Sequence, residues 1–350
     1  MFVKKPGFFI TILIITLIIA TIVAMGNGAL YISPLQAIKI IGHSVGLNGD
    51  IGFTSQQEAV LTAIRLPRVL FGILIGSTLA VCGAAMQGLF RNPLADAGLI
   101  GISSGASLAA IAVIVFSLGV FKSIQNVAGL YALSIVTFAG AFITTIIVYR
   151  IAQVNGKIVV STMLLSGIAI SALAGAATGI TILYANDVQL RSITFWTMGS
   201  LGGANWTNVS VLFPFAILPV VVLPVLSKSL NAFVLGENNA AHLGLNVERL
   251  KMQVILLTAI GVGSSVAMAG IIGFVGLIVP HIIRMIIGPE HKKLMIASAL
   301  LGAVMLVIAD LICRTAIAPA EIPIGIATTL IGGPFFLYLL LKDKRKNSLL

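Results

Sequence analysis

Long apolar stretches, most without a single charged side chain, alternate along the whole chain with short charged or Gly/Pro-rich breaks. A helix of about 20 apolar residues crosses the ~30 Å hydrocarbon core of a bilayer, and stretches such as 6–38, 192–227 and 252–283 exceed that length. The pattern predicts ten membrane-spanning helices, at 8–28, 66–88, 95–119, 126–150, 158–184, 207–227, 251–271, 274–288, 294–315 and 323–342. The run from Met252 to Ile283 is too long for one span, and Gly270, Gly273 and Gly276 allow a break, so two helices are expected there. Segment 185–206 carries Asn186, Asp187, Arg191, Trp196 and Trp206, which suits a short helix at the outer interface. Alternating ten-residue strands are absent, which argues against an outer-membrane barrel.

Composition narrows the class. Of the 350 residues 59% are apolar and 9% charged, and the mean hydropathy is +1.13. That balance excludes soluble enzymes, nucleic-acid binders and disordered scaffolds, and predicts an all-α integral membrane protein with 1–350 as one polytopic domain. The net charge of +11 then reports topology. With ten spans and both termini inside, 15 of the 21 Lys and Arg residues fall on the inner side; Lys39, Arg65, Arg68, Lys122, Arg191 and Arg314 fall outside. The positive-inside rule therefore predicts cytoplasmic termini in a bacterial inner membrane, with the first apolar run an uncleaved span. Cys82 and Cys313 have no paired spacing and are expected as buried thiols.

An internal repeat is visible. Gly76-Ser77-Thr78-Leu79-Ala80 leads to Gly83 and Pro93, and Gly263-Ser264-Ser265-Val266-Ala267 leads to Gly270 and Pro280, at a constant offset of 187 that also aligns Gly101 with Gly288. In the expected topology the copies run in opposite directions across the membrane, the inverted repeat common among transporters.

Arg65-Leu66-Pro67-Arg68 is expected to open the second span, because proline suits a first helical turn. Two arginines there oppose both the helix dipole and the inside bias, so a use is indicated: facing outward, they could clamp carboxylates on a partner. Asn92-Pro93 with Asp96 reads as a turn that sets the angle between two helices. Asp310 and Arg314, four apart, read as a helical salt bridge, and Glu321 before Pro323 as a helix cap. The segment from Ser229 to Lys251 is too polar to span. Gly236-Glu237 and Leu245-Asn246-Val247-Glu248 each read as a turn followed by an acidic first helical turn, and Leu235, Leu243 and Leu245 supply an apolar face suited to a cytoplasmic protein partner. Gly156-Lys157 is followed by Ile158, so no phosphate-binding loop exists there, and His43, His281 and His291 lack metal spacing.

Taken together, these residues resemble the permeases of type II ATP-binding-cassette importers for iron-siderophores, haem and cobalamin. The resemblance extends from Ile32-Ser33-Pro34 to Leu341. It is carried by Arg65-Leu-Pro-Arg68, Gly83-Ala-Ala-Met-Gln-Gly88, Asn92-Pro-Leu-Ala95, Gly236-Glu237 with Leu243-Gly244-Leu245, Gly273-Phe-Val-Gly-Leu-Ile-Val-Pro280-His281, Ala309-Asp310 and Glu321-Ile-Pro-Ile-Gly325. It implies a homodimer of ten-helix subunits, two cytoplasmic ATPase subunits carrying the ATP and Mg, and an extracytoplasmic substrate-binding protein. It further implies that Arg65, Arg68 and Arg314 meet acids of the binding protein, and that residues 229–250 form coupling helices seated on the ATPase. Val160 and Ser161 match the inner gate by position alone. The chain itself is expected to have no cofactor, catalytic site or metal, and to touch lipid. The expected mechanism is alternating access at the dimer axis, moving an iron chelate or cobalamin past the fifth span and segment 185–200. The alternative is a carrier driven by an ion gradient, for which Asp310 would be the intramembrane acid.

Overall fold

The computed structural model describes residues 6–46, 52–116 and 129–347; Lys4, Lys5 and Lys122 of the charge count, and parts of the spans expected at 95–119 and 126–150, lie outside them. Helix α1 (Pro6–Gly26) is followed by α2 (Pro34–Ser44), a helix absent from the expected set. Its start is nonetheless encoded: Ser33 Oγ accepts from the Gln36 N–H at 3.3 Å, and Gln36 Oε1 accepts from the Ser33 N–H at 3.0 Å.

Helix α3 runs from Ser55 to Leu89, so Arg65, Pro67 and Arg68 lie inside a helix and do not open one. The reason is a π-helical stretch at Val60–Arg65. It shifts the hydrogen-bond ladder by one residue just before Pro67, where the missing proline N–H is tolerated. The argument from an unfavourable N-terminal dipole therefore does not apply to these arginines.

A 3-10 turn (Ala97–Ile100) precedes α4 (Ile102–Val115) and α5 (Ala132–Ile151). A small hairpin of β1 (Gln153–Val154) and β2 (Lys157–Ile158) leads into α6 (Val160–Ile182). Helix α7 (Asp187–Met198), capped by Asn186 and Gln189, is the short helix expected within 185–206. Then follow α8 (Trp206–Val225), α9 (Ser227–Val234), α10 (Glu237–His242) and α11 (Val247–Ala269). The break expected near Gly270 is present: Gly270 and Phe274 both have positive φ (72° and 67°) between α11 and α12 (Val275–Ile287). The chain ends with α13 (His291–Thr315) and α14 (Ile324–Asn347).

Seven helices among the described residues are long and apolar enough to cross a membrane, and three shorter apolar ones, Ile102–Val115, Val275–Ile287 and Ile324–Tyr338, fall at the remaining expected positions. The fold is all-α, with the two-residue strands its only sheet among the described residues.

Packing shows the repeat as an exchange. Within one set α4 packs on α5 and α6; within the other α12 packs on α13 and α14. Each leading helix crosses over: α3 packs on α12 and α13, and α11 packs on α4 and α5, while α3 and α11 meet each other. Gly76 of α3 faces Gly302 of α13 so closely that a Cβ on either would lie 2.3 Å from the other's carbonyl oxygen. Its counterpart at offset 187, Gly263 of α11, faces Ala141 and Phe138 of α5. Small residues let the backbones approach where no hydrophobic effect drives helices together in lipid. The constant offset fails beyond this point. Gly83 is mid-helix while Gly270 ends one; Pro93 lies in a loop while Pro280 is inside α12; Gly101 precedes a helix while Gly288 follows one. Connections of unequal length separate the later elements, so one shift cannot align both copies.

Candidate functional site

Helix α3 carries a charge cluster near each end. Residues 68 and 91 are separated by 23 positions, about 35 Å along a helix, which places the clusters on opposite sides of the hydrocarbon. The first is built on Arg68. Its Nε donates to both oxygens of Asp310 at 3.0 and 3.1 Å, and its Nη1 and Nη2 donate to Glu321 Oε1 and Oε2, each at 2.8 Å. Asp310 is buried, and its second guanidinium neighbour is Arg314, with Nε at 3.6 Å. Glu321 is therefore not the cap of α14, which starts three residues later. Its carboxyl is held below the ordinary glutamate value chiefly by the hydrogen bonds from Arg68, against burial and with help from the charges of Arg68 and Arg314.

Arg65 does not face outward: it is 4% exposed. Its Nη1 donates to the carbonyls of Met25 and Gly26 (2.6 and 3.0 Å), and its Nη2 to that of Leu30. Arg314 donates to the carbonyls of Ala24 and Asn27. Helix α1 ends at Gly26, and its last carbonyls have no intrahelical partner. Two guanidiniums, weakly hydrated and rich in donors, satisfy them. Of the three arginines expected at a docking surface, Arg68 alone reaches the exposed rim, through Glu321, whose side chain is 44% exposed.

The second cluster holds the loop between α8 and α11. Gly236 ends α9 and starts α10 with φ 118°, a conformation that L side chains rarely adopt, and Gly244 ends α10 with φ 80°. Asn246 caps α11, accepting from the Arg249 N–H at 2.9 Å. The second acidic turn expected here thus begins the long α11, and the two short helices are α9 and α10. Leu235 and Leu243 are 65% and 67% exposed, Leu245 half-buried. Beneath them Glu237 contacts Arg91 Nη2 at 3.3 Å and accepts from Lys251 Nζ at 2.7 Å, while the Arg91 guanidinium lies 5.1 Å from the Phe233 ring centre. Lys251, 1% exposed, also donates to Glu248 Oε1 (3.1 Å) and to the carbonyl of Ile158 (2.7 Å), and Glu248 Oε2 accepts from the Ile158 N–H (2.7 Å). Ile158 stands two residues before Val160, the first residue of α6; Val160 is half-buried and Ser161 exposed.

Asn92 and Pro93 form the expected turn beside this cluster. Asn92 Oδ1 accepts from the Leu94 N–H at 2.9 Å, and Asp96 caps the 3-10 turn by accepting from Gly98 at 3.1 Å. Pro280 lies within α12 and Cys82 and Cys313 are buried free thiols. No group of three His, Cys, Asp or Glu that could hold a metal occurs among the described residues. Sequence reasoning missed Arg91 and Lys251. For Lys251 a signal existed: it is the last charge before the run 252–283, three residues after Glu248.

The FecCD transport family matches residues 14–342. The chain is 45% identical over 286 residues to the hemin transport system permease protein HmuU of Yersinia pestis, covering 81% of this chain and 84% of that protein. It is 40% identical to the cobalamin import system permease protein BtuC of Halobacterium salinarum (86% and 78% covered) and 40% identical to the Fe(3+)-citrate import system permease protein YfmE of Bacillus subtilis (98% of each). Its fold superposes with a TM-score of 0.82, at 30% identity and over 96% of this chain and 99% of the other, on a putative metal-chelate type ABC transporter solved in an inward-facing conformation. An all-α bundle with exchanged helix sets, a polar loop held between two long helices and a matching sequence from residue 14 to 342 place the chain in one group: it belongs to the FecCD transport family, as a membrane permease of the ATP-binding-cassette importer class.

Proposed function

We propose that the chain is the permease subunit of an ATP-driven importer of an iron chelate, working as a homodimer with two cytoplasmic ATPase subunits and an extracytoplasmic substrate-binding protein. The observation that carries this reading is the loop 227–246. It presents exposed Leu235 and Leu243 on two short helices, while Glu237 beneath them is anchored by ion pairs to Arg91 and Lys251. An apolar tip on a fixed base is what a rigid partner needs in order to push on the bundle. Gly236, Glu237, Leu243, Gly244 and Leu245 form that contact. The chain contributes no ATPase site; ATP and Mg belong to the partner, and both termini lie on its side of the membrane.

Arg68 with Glu321 is the docking point for the binding protein, and Arg65 and Arg314 hold the platform under it. Helix α6 lines the path. Between α4 and α6 a cavity of about 230 Å3 is lined by Ser103, Ser104, Ser107, Ser171 and Thr178, hydroxyls suited to a hydrated chelate. An ion-driven carrier is not favoured, because Asp310 is already neutralised by Arg68 and Arg314. The iron chelate is favoured because the relative named for hemin is 45% identical and the one named for Fe(3+)-citrate matches over 98% of each chain, against 40% identity over 86% and 78% for the cobalamin relative of Halobacterium salinarum.

The test is to extract the tagged chain from its membrane in mild detergent and weigh the intact complex. A mass of two such chains plus two ATPase subunits is expected. A chain that purifies alone and moves hemin or Fe(3+)-citrate in vesicles lacking nucleotide would overturn the reading.

A further inference from the structure

We infer that Lys251 is a positioning residue that transmits movement of the coupling helix α10 to the first turn of α6. The inference rests on the importer reading above, and adds the physical connection between its two moving parts. Lysine carries three N–H donors. Here all three are used, on three segments: Glu237 Oε2 on the first turn of α10, Glu248 Oε1 on the first turn of α11, and the carbonyl of Ile158 at the end of the hairpin. Glu248 closes the grip by accepting from the N–H of the same Ile158. Both main-chain polar groups of a single residue are thus held by side chains of α11, and that residue is two positions from Val160.

The physical setting makes the connection stiff. Lys251 and Ile158 are 1% and 2% exposed, so the ammonium and the Ile158 main chain have little access to water, although the Glu237 and Glu248 side chains are 35% and 33% exposed; losing the carboxylates leaves a buried charge short of partners. The hairpin itself is short, two residues per strand, with residues 153–157 exposed, and so has little packing of its own to fix the start of α6. The position of Val160 and Ser161 is set by Lys251 and Glu248 together with the bond from the Val159 N–H to the Ala152 carbonyl (3.0 Å) and the packing of Val160 on the core. A displacement of Glu237 with the coupling helix pulls on the ammonium that also holds Ile158, and the first turn of α6 follows. The two carboxylates and the ammonium form a continuous polar connection from α10 to the residue that precedes α6, the physical continuity that coupling between sites uses.

The test uses the full complex of this chain with its ATPase in lipid nanodiscs, and reads hydrogen exchange of main-chain amides with and without a non-hydrolysable Mg-ATP analogue. In the wild type, exchange in 237–242 and in 157–162 is expected to change together on nucleotide binding. In Lys251→Met, which removes all three hydrogen bonds of the ammonium, 237–242 still responds, while the response of 157–162 falls by at least about tenfold. Lys251→Met leaves Glu237 and Glu248 facing an apolar chain and could block assembly. Glu237→Ala then decides, because it keeps Lys251 paired with Glu248 and Ile158 while removing the acceptor on α10, together with the Arg91 contact of Glu237; it should give the same loss at 157–162. An unchanged response of 157–162 in either assembled variant, or a wild-type complex in which only 237–242 responds, overturns the relay while leaving the importer reading intact. A wild-type chain that binds no ATPase overturns both.

Discussion

Replacing Arg65 by alanine separates a structural role from a docking role at the rim of the bundle. The guanidinium holds three carbonyls at the end of α1 and in the turn that follows: Met25, Gly26 and Leu30. Gly26 keeps a second partner, the N–H of Ile32 at 3.0 Å, so the substitution strands two acceptors, Met25 and Leu30. An unsatisfied buried polar group costs about 1–3 kcal/mol. Two such half-buried acceptors, with partial recapture by interfacial water, give a loss of about 2–4 kcal/mol. Arg65→Lys supplies one ammonium in place of a two-pronged donor and should lose about half as much. In detergent, the temperature at which half the protein remains monodisperse by size-exclusion chromatography should fall by roughly 5–10 °C for Arg65→Ala. Binding-protein affinity of the fraction that stays folded should change little. A midpoint within about 2 °C of wild type, together with lost docking at low salt, would refute the argument and restore Arg65 to the docking surface.

Gly302→Leu should abolish recovery of folded protein, since even its Cβ would lie 2.3 Å from the Gly76 carbonyl oxygen and 2.6 Å from the Ala80 Cβ; membrane yield after mild solubilisation measures this. The Arg68–Glu321 contact should survive moderate acid. Because the Glu321 carboxyl is held below its ordinary value of 4.5, its stabilising contribution is complete above that value and disappears as the pH falls through the lower value of the folded state. The difference in thermal midpoint between wild type and Glu321→Gln should therefore be constant from pH 7 to about pH 5 and vanish in stronger acid, and a difference that fades near neutrality would contradict the assignment. Substituting Glu237 and Gly244 together should leave ATP hydrolysis running without matched uptake in vesicles, and a normal ratio of uptake to hydrolysis would exclude this loop as the coupler.

Much of the fold was legible because a bilayer allows few solutions. Backbone groups in hydrocarbon must pair within their own helix, so apolar length marks the helices, and glycine marks the break at Gly270. What local pattern could not show was a register change. Pro67 after two polar-flanked residues is the ordinary sign of a helix start, and only the π-helical stretch at Val60–Arg65 lets α3 begin at Ser55 instead. Helix α2 was missed for a different reason: its Ser33–Gln36 capping box is a clear start signal, but it lies inside an apolar run that hydropathy assigns to the neighbouring span. The repeat was legible where both copies use the same helix, at Gly76 and Gly263, and lost where connections differ in length.

Charged residues tell the other half. Arg65 and Arg68 stand out in the sequence as positive charge away from the inner side with no visible internal acceptor, which points to a partner; Arg314 has Asp310 four residues before it, and its docking role is implied by the family resemblance alone. The acceptors found for Arg65 are three main-chain carbonyls about 40 residues away, and Arg314 donates to two more about 290 residues away, which no side-chain pattern reveals. Lys251 shows the converse. Its neighbour Glu248 is visible at three residues' distance, yet the contacts that matter reach 14 residues back to Glu237 and 93 residues back to Ile158. In a chain with 9% charged residues, each buried charge must find a partner across the fold. The ionisable residues that hydropathy treats as punctuation are therefore the ones that tie distant helices into the two ends of a single transport path, and perturbing them should change coupling before it changes the span count.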